Sequence, residues 1–304
     1  MLSVPSKKHK ATTFDKSRLV FPLDYIFNKE WVGSLAALVI ATEHARTPIR
    51  CINKQFAKFV EALPCWAEFP DPKYKSLAKM FKRLNNLYYF GDSFGEKNIP
   101  RLLLIKKGTH DNNGYYTTIE MPISIVGFSR EECVVVGGLM IEGEHEDDVN
   151  VSNLTLCKSK FSGIHGASGA SIHLKNVNID YAESDGIKLY QTKRNSITNC
   201  TISNSRGNGL LCSNGAKLKI YGNANSIHRN CTESRRFQYG IKTSYVTTGF
   251  VYFPPNSIKA ICRNNGGGGD YVADCTRRNG IVSICNYQKG IVATEHVIRR
   301  RIKK

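Results

Sequence analysis

Acid is what the chain is short of. Its 25 aspartates and glutamates stand against 43 lysines and arginines, a formal net charge of +18 at pH 7. An excess of this size favours acidic partners: nucleic acid, an anionic surface or an acidic protein segment. Long apolar runs are also missing. The longest, Leu35 to Ala41, is far too short to span a bilayer. Residues 1–17 are polar and basic (Lys7, Lys8, His9, Lys10) and hold no apolar signal core. The expectation is an intracellular protein, cytoplasmic or nuclear, with no membrane contact. None of the ten cysteines forms a Cys-x-x-Cys pair, which argues against zinc-finger and thioredoxin-type motifs. Cys157, Cys200 and Cys212 sit in strand-like words, where a reduced thiol fills space as a small apolar group. The run Gly266 to Gly269 lacks the Lys-Ser/Thr of a phosphate loop, so no nucleotide site is expected there.

What is present is a repeat. Asn153, Asn176 and Asn199 lie 23 residues apart, and so do Gly163, Gly186 and Gly209. The words around them agree: Asn153-Leu-Thr-Leu156, Asn176-Val-Asn-Ile179 and Asn199-Cys-Thr-Ile202. A fixed period of this length marks a solenoid, in which each unit buries its apolar face only against its neighbours. Ile172, Leu174, Val177 and Ile179 alternate as strands require, not at helical spacing. Short strands broken by Asn, Gly and Ser fit a parallel β-helix whose coils rise by ~4.8 Å. Stacked Asn residues suit left-handed corners and can bond to one another, and the glycines are expected to supply positive φ. Residues 149–231 resemble the right-handed parallel β-helix (pectin-lyase-like) superfamily. That resemblance implies the fold; the activities found on it range from lyases and hydrolases to adhesins and binding modules.

Taken in order, residues 1–17 read as a disordered basic terminus. Residues 18–95 read as a helical domain, with apolar faces at Leu35/Leu38/Val39, Phe56/Phe59/Val60/Leu63 and Leu77/Met80/Phe81/Leu84/Leu87. Phe21-Pro22-Leu23-Asp24 and Cys51-Ile-Asn-Lys-Gln-Phe56 resemble the opening and closing words of an F-box. That resemblance implies a ubiquitin-ligase adaptor; the alternative is a helical cap on the solenoid. Strand words from Arg101-Leu-Leu-Leu-Ile105 onward place the β-helix at residues 101–296, and residues 297–304 form a basic tail. Gly240-Ile241 follows Gly209-Leu210 by 31 residues instead of 23, so the extra residues should form a loop around Arg235-Arg236-Phe237. Ser257 to Ile261 reads as a later strand.

The chemistry of acidic-polysaccharide cleavage needs carboxylates gathered on one face. In the regular coils the acids Asp180, Glu183 and Asp185 fall in one loop of one coil, and no acidic column forms. His165, in Gly163-Ile-His165-Gly166, stands without the paired aspartates of the pectin hydrolases. The 23-residue threading produces a basic face instead. Ser171, Arg194 and Lys217 share one phase; His173, Ser196 and Lys219 a second; Lys175, Thr198 and Tyr221 a third. These alternate with Ile172, Leu174, Ile197 and Ile220 and should point outward, with Lys188 and Tyr190 one corner away. The candidate binding residues are therefore His173, Lys175, Lys188, Tyr190, Arg194, Lys217 and Lys219. The expected function is non-catalytic recognition of another macromolecule: a protein first, an acidic ligand or nucleic acid otherwise. No metal or cofactor is implied. The alternatives are a polysaccharide lyase or glycoside hydrolase, and a structural assembly protein.

Overall fold

The computed structural model describes residues 66–91, 99–143, 148–233, 235, 237–243, 250–254, 257–273 and 284–286. The basic N-terminus, both F-box-like words and the basic tail lie outside the described residues. Strand β1 (Trp66–Phe69) is followed by helix α1 (Leu77–Phe90) and strands β2 (Leu102–Ile105), β3 (Gly108–Ile119), β4 (Ile123–Gly127) and β5 (Cys133–Ile141). The regular coils hold β6 (Asp148–Cys157), β7 (Ile164–Gly166), β8 (Ser171–Asp180), β9 (Ile187–Tyr190), β10 (Asn195–Thr198), β11 (Thr201–Ser203), β12 (Leu210–Ser213), β13 (Lys217–Tyr221) and β14 (Ser226–His228). Then come β15 (Ile241–Thr243), β16 (Phe250–Phe253), helix α2 (Ile258–Ile261), β17 (Cys262–Arg263), β18 (Tyr271–Ala273) and β19 (Ile284–Asn286).

The strands stack in parallel as three ladders. In the first, Leu103, Ile125, Val151, Leu174, Ile197 and Ile220 stand in one register column. In the second, Val135, Leu156, Ile179, Ile202 and Ile227 do the same. In the third the column is Ile164, Ile187, Leu210 and Ile241. All of these side chains are buried, and each removes apolar area from water worth about 1.5–3 kcal/mol. The chain is mainly β, a parallel solenoid with few helices.

Every regular coil turns three left-handed corners. Asn153, Asn176 and Asn199 form the first column, Lys158, Tyr181, Asn204 and Arg229 the second, and Ser168, Gln191 and Asn214 the third, all with φ between 51° and 57°. The asparagines bond as expected: Asn176 to Asn153 at 2.9 Å and Asn199 to Asn176 at 3.1 Å. The glycines differ from expectation. Gly163, Gly186 and Gly209 are not among the residues with positive φ. They are needed for close approach. A Cβ on Gly163 would strike Ile179 Cγ2 and lie 2.8 Å from Gly186 O; on Gly209 it would lie 2.6 Å from Gly240 O.

The stacking begins earlier than Arg101. β1 pairs with β2 in parallel from Trp66↔Leu102 to Phe69↔Ile105, inside the segment read as helical. The apolar run from Tyr74 to Tyr89 is helix α1, started by Ser76, whose hydroxyl accepts from Lys79 N. α1 buries Leu77, Met80, Phe81, Leu84 and Leu87. Asn85 donates from Nδ2 to Thr118 O at 3.0 Å and accepts from Glu120 N at 3.2 Å. At the other end, the expected strand Ser257–Ile261 is in part helix α2, because Ala260 N and Ile261 N both turn back to Ser257 O.

Candidate functional site

The first ladder turns its alternate residues outward, and its outer face changes along the axis. At the first rungs it is apolar, with Leu104 and Val126 buried and packed with Trp66 and Leu102. Further along, Asn150, His173, Ser196, Lys219 and Tyr252 form one outer column. Ser152, Lys175, Thr198 and Tyr221 form the next. Lys175, Lys217 and Lys219 are exposed, and the Arg194 side chain is 56% exposed at the corner leading into β10. Strand alternation thus brings His173, Lys175, Arg194, Lys217 and Lys219 together. Lys188 and Tyr190 lie on the third ladder, where Lys188 shares a column with His165, Leu211 and Lys242. Ser171 is buried instead of outward, and its hydroxyl accepts from Arg194 Nε at 3.3 Å.

An acid stands among these cations. Asp148, 20% exposed, opens β6, and its Oδ1 lies 3.3 Å from His173 Nε2 and 3.2 Å from Arg194 Nη2. The opposite ring nitrogen, His173 Nδ1, lies 2.8 Å from Ser196 Oγ. Asp148 was not among the residues expected on this face; in sequence it ends an acid-rich stretch, Glu142 to Asp148. The signal was available: one period before Ser171 falls on Asp148, and the two are register partners. Beside Asp148, a shallow hollow of about 220 Å³ is lined by Arg101, Pro122, Ile123, Ser124 and Asn150.

The acids Asp180 and Asp185 are tied to the next coil. Asp180 Oδ1 accepts from Ser203 Oγ at 2.8 Å and Asn204 Nδ2 at 2.7 Å. Asp185 is buried, and its Oδ1 accepts from Asn208 N at 2.7 Å and Asn208 Nδ2 at 2.8 Å. Burial pushes its carboxyl above the usual range, against the pull of those bonds and of Lys188 and Lys242. His165 is held low by burial and by Lys188, and lies beside Tyr116, whose ring stacks on Phe161 at 5.1 Å. Among the described residues no three His, Cys, Asp or Glu side chains gather as a metal site, and no helix is long and apolar enough to cross a membrane.

Residues 137–297, more than half of the chain, match the family model for the right-handed beta helix region. The chain belongs to the right-handed β-helix family. No curated protein matches it, and no solved structure matches it. For a right-handed β-helix, membership settles the winding and the ladders. The chemistry has to be argued from the side chains on the outer faces.

Proposed function

We propose that the chain is a recognition module that holds an acidic segment of another protein along the outer face of the first ladder. The observation that carries this is the cationic array of Lys175, Arg194, Lys217 and Lys219, presented on coils that repeat every ~4.8 Å. Among the described residues no carboxylate pairs with Lys175 or Lys217, so their charge faces solvent. Tyr221 and Tyr190 are exposed at the borders of the array. A rigid sheet presents these groups at little cost in ordering, which favours recognition of an extended partner. The structural employment of Asp180 and Asp185 speaks against the lyase or hydrolase alternative at that corner.

The test is anisotropy of a labelled Glu-rich peptide and of a single-stranded oligonucleotide of equal charge, each titrated with full-length protein at two salt concentrations. The expected result is tighter peptide binding, weakened at least ~10-fold by Lys217→Glu with Lys219→Glu. Tighter oligonucleotide binding with a steep salt dependence would assign the face to nucleic acid instead. Binding of neither would sink the reading.

A further inference from the structure

Ser196, His173 and Asp148 come from three successive coils and touch in sequence. Ser196 Oγ is 2.8 Å from His173 Nδ1, and His173 Nε2 is 3.3 Å from Asp148 Oδ1. A carboxylate only accepts, so Asp148 keeps the ring proton on Nε2 and leaves Nδ1 to accept from the Ser196 hydroxyl. Arg194 holds the same carboxylate oxygen at 3.2 Å while its Nε is tied to Ser171. His173 is 27% exposed and Ser196 half-buried, so both are reachable from solvent. A hydroxyl on a base, and that base on an orienting carboxylate, is the arrangement that activates serine, whatever the order along the chain. A second pair on this molecule provides the contrast. Ser226 Oγ is 2.9 Å from His228 Nδ1, but the acid of that face, Asp180, is engaged by Ser203 and Asn204.

We propose that Ser196 is a nucleophile toward acyl esters that carry negative charge, with His173 as general base and Asp148 as the residue that positions it. Ser196 Oγ bonds to the ester carbonyl carbon as its proton passes to His173 Nδ1. The tetrahedral intermediate then breaks its bond to the alcohol oxygen, which leaves with the proton from His173. Water adds to the acyl-serine and gives a proton to His173; Ser196 takes that proton as it departs, and the carboxylic acid is released. Lys219, the register partner of Ser196 one strand on, supplies positive charge for the oxyanion. Lys217 and Arg194 favour an anionic substrate. A substrate lying along the axis would reach the hollow beside Asp148, about two strand spacings or ~10 Å from Ser196.

This activity is separable from recognition of an acidic partner, because it needs no partner to be seen. The full-length protein is incubated with a fluorophosphonate, and the adduct is mapped by peptide mass spectrometry. Turnover of p-nitrophenyl hemisuccinate is followed in parallel. The expected result is an adduct on Ser196 in the wild type. Turnover falls ~100-fold or more in Ser196→Ala and His173→Gln and stays unchanged in Ser226→Ala. Asp148→Asn, checked for folding by circular dichroism, should lose labelling rate through the wrong tautomer while keeping Ser196 as the labelled site. Absence of an adduct on Ser196 in the folded wild type overturns the proposal without recourse to any variant. Turnover undiminished in Ser196→Ala overturns it as well.

Discussion

Asn176 stands between two other asparagines: its Nδ2 donates to Asn153 Oδ1 at 2.9 Å, and its own Oδ1 accepts from Asn199 Nδ2 at 3.1 Å. Its φ of 55° is left-handed. Two effects therefore meet at one residue and can be separated. Asn176→Gly removes the amide bonds and the Cβ; Asn176→Ala removes the bonds and keeps a Cβ, whose left-handed cost relative to Gly is about 1–2 kcal/mol. Urea denaturation should show Ala less stable than Gly by about that difference. Equal stability of the two variants would refute the corner argument.

Glycines divide by mechanism. A Cβ on Gly186 would strike Ile202 Cγ2 and lie 2.6 Å from Gly209 O, whereas Gly215, with φ of 80°, has nothing within 4 Å. Gly186→Ala should force coils apart and cost ~3 kcal/mol or more, in the range of severe overpacking. Gly215→Ala should cost only about 1 kcal/mol of backbone strain. Thermal melts of the two variants decide it; a ranking in the opposite order would be fatal to the close-approach account.

Asp185 carries a pH signature. Its folded carboxyl is held above the usual value, chiefly by burial, so the folded state binds more protons than the unfolded one in that window. Stability contributed by this group is therefore full below the unfolded pKa, about 4, and declines as pH rises through the folded value. Asn208, one period on, already performs the same turn with an amide, accepting from Tyr239 N at 2.8 Å. Asp185→Asn should remove the decline and raise the melting temperature at pH 7. A variant that melts lower at pH 7 than the wild type contradicts this.

The thiols should be silent in the native state. Burial pushes Cys133 and Cys231 up to about 12 and Cys200 up to about 11, and all three are buried. At pH 8 iodoacetamide should leave them unmodified until denaturant is added, as mass spectrometry of native and unfolded samples would show. Rapid native alkylation of Cys200 would mean that its coil opens locally.

The ladders were legible because period and alternation are properties of residue type, and the apolar columns obey both. The asparagine corners were legible for the same reason. The other two corners were not, since Lys158, Tyr181, Gln191 and Arg229 adopt left-handed backbone without belonging to any type that favours it. There the stacked coils dictate the conformation and the residue accepts the strain. The glycine positions were found but assigned the wrong cause, because positive φ is a local property and a clash with the next coil is not. On the candidate face, His173, Ser196 and Lys219 fell into one column by threading. Asp148 was not among the candidates because it falls in an acid-rich stretch, Glu142 to Asp148, and the strand that holds it is defined only by pairing.

Helix α1 gives the stack a direction. A pile of coils exposes backbone at both ends, and an open end can template another chain into a fibre. Against β3, Asn85 occupies Thr118 O and Glu120 N with its own amide, so these two groups are not offered to an incoming strand. The packed helix and its Asn85 amide thereby cover two backbone groups that would otherwise pair with a strand.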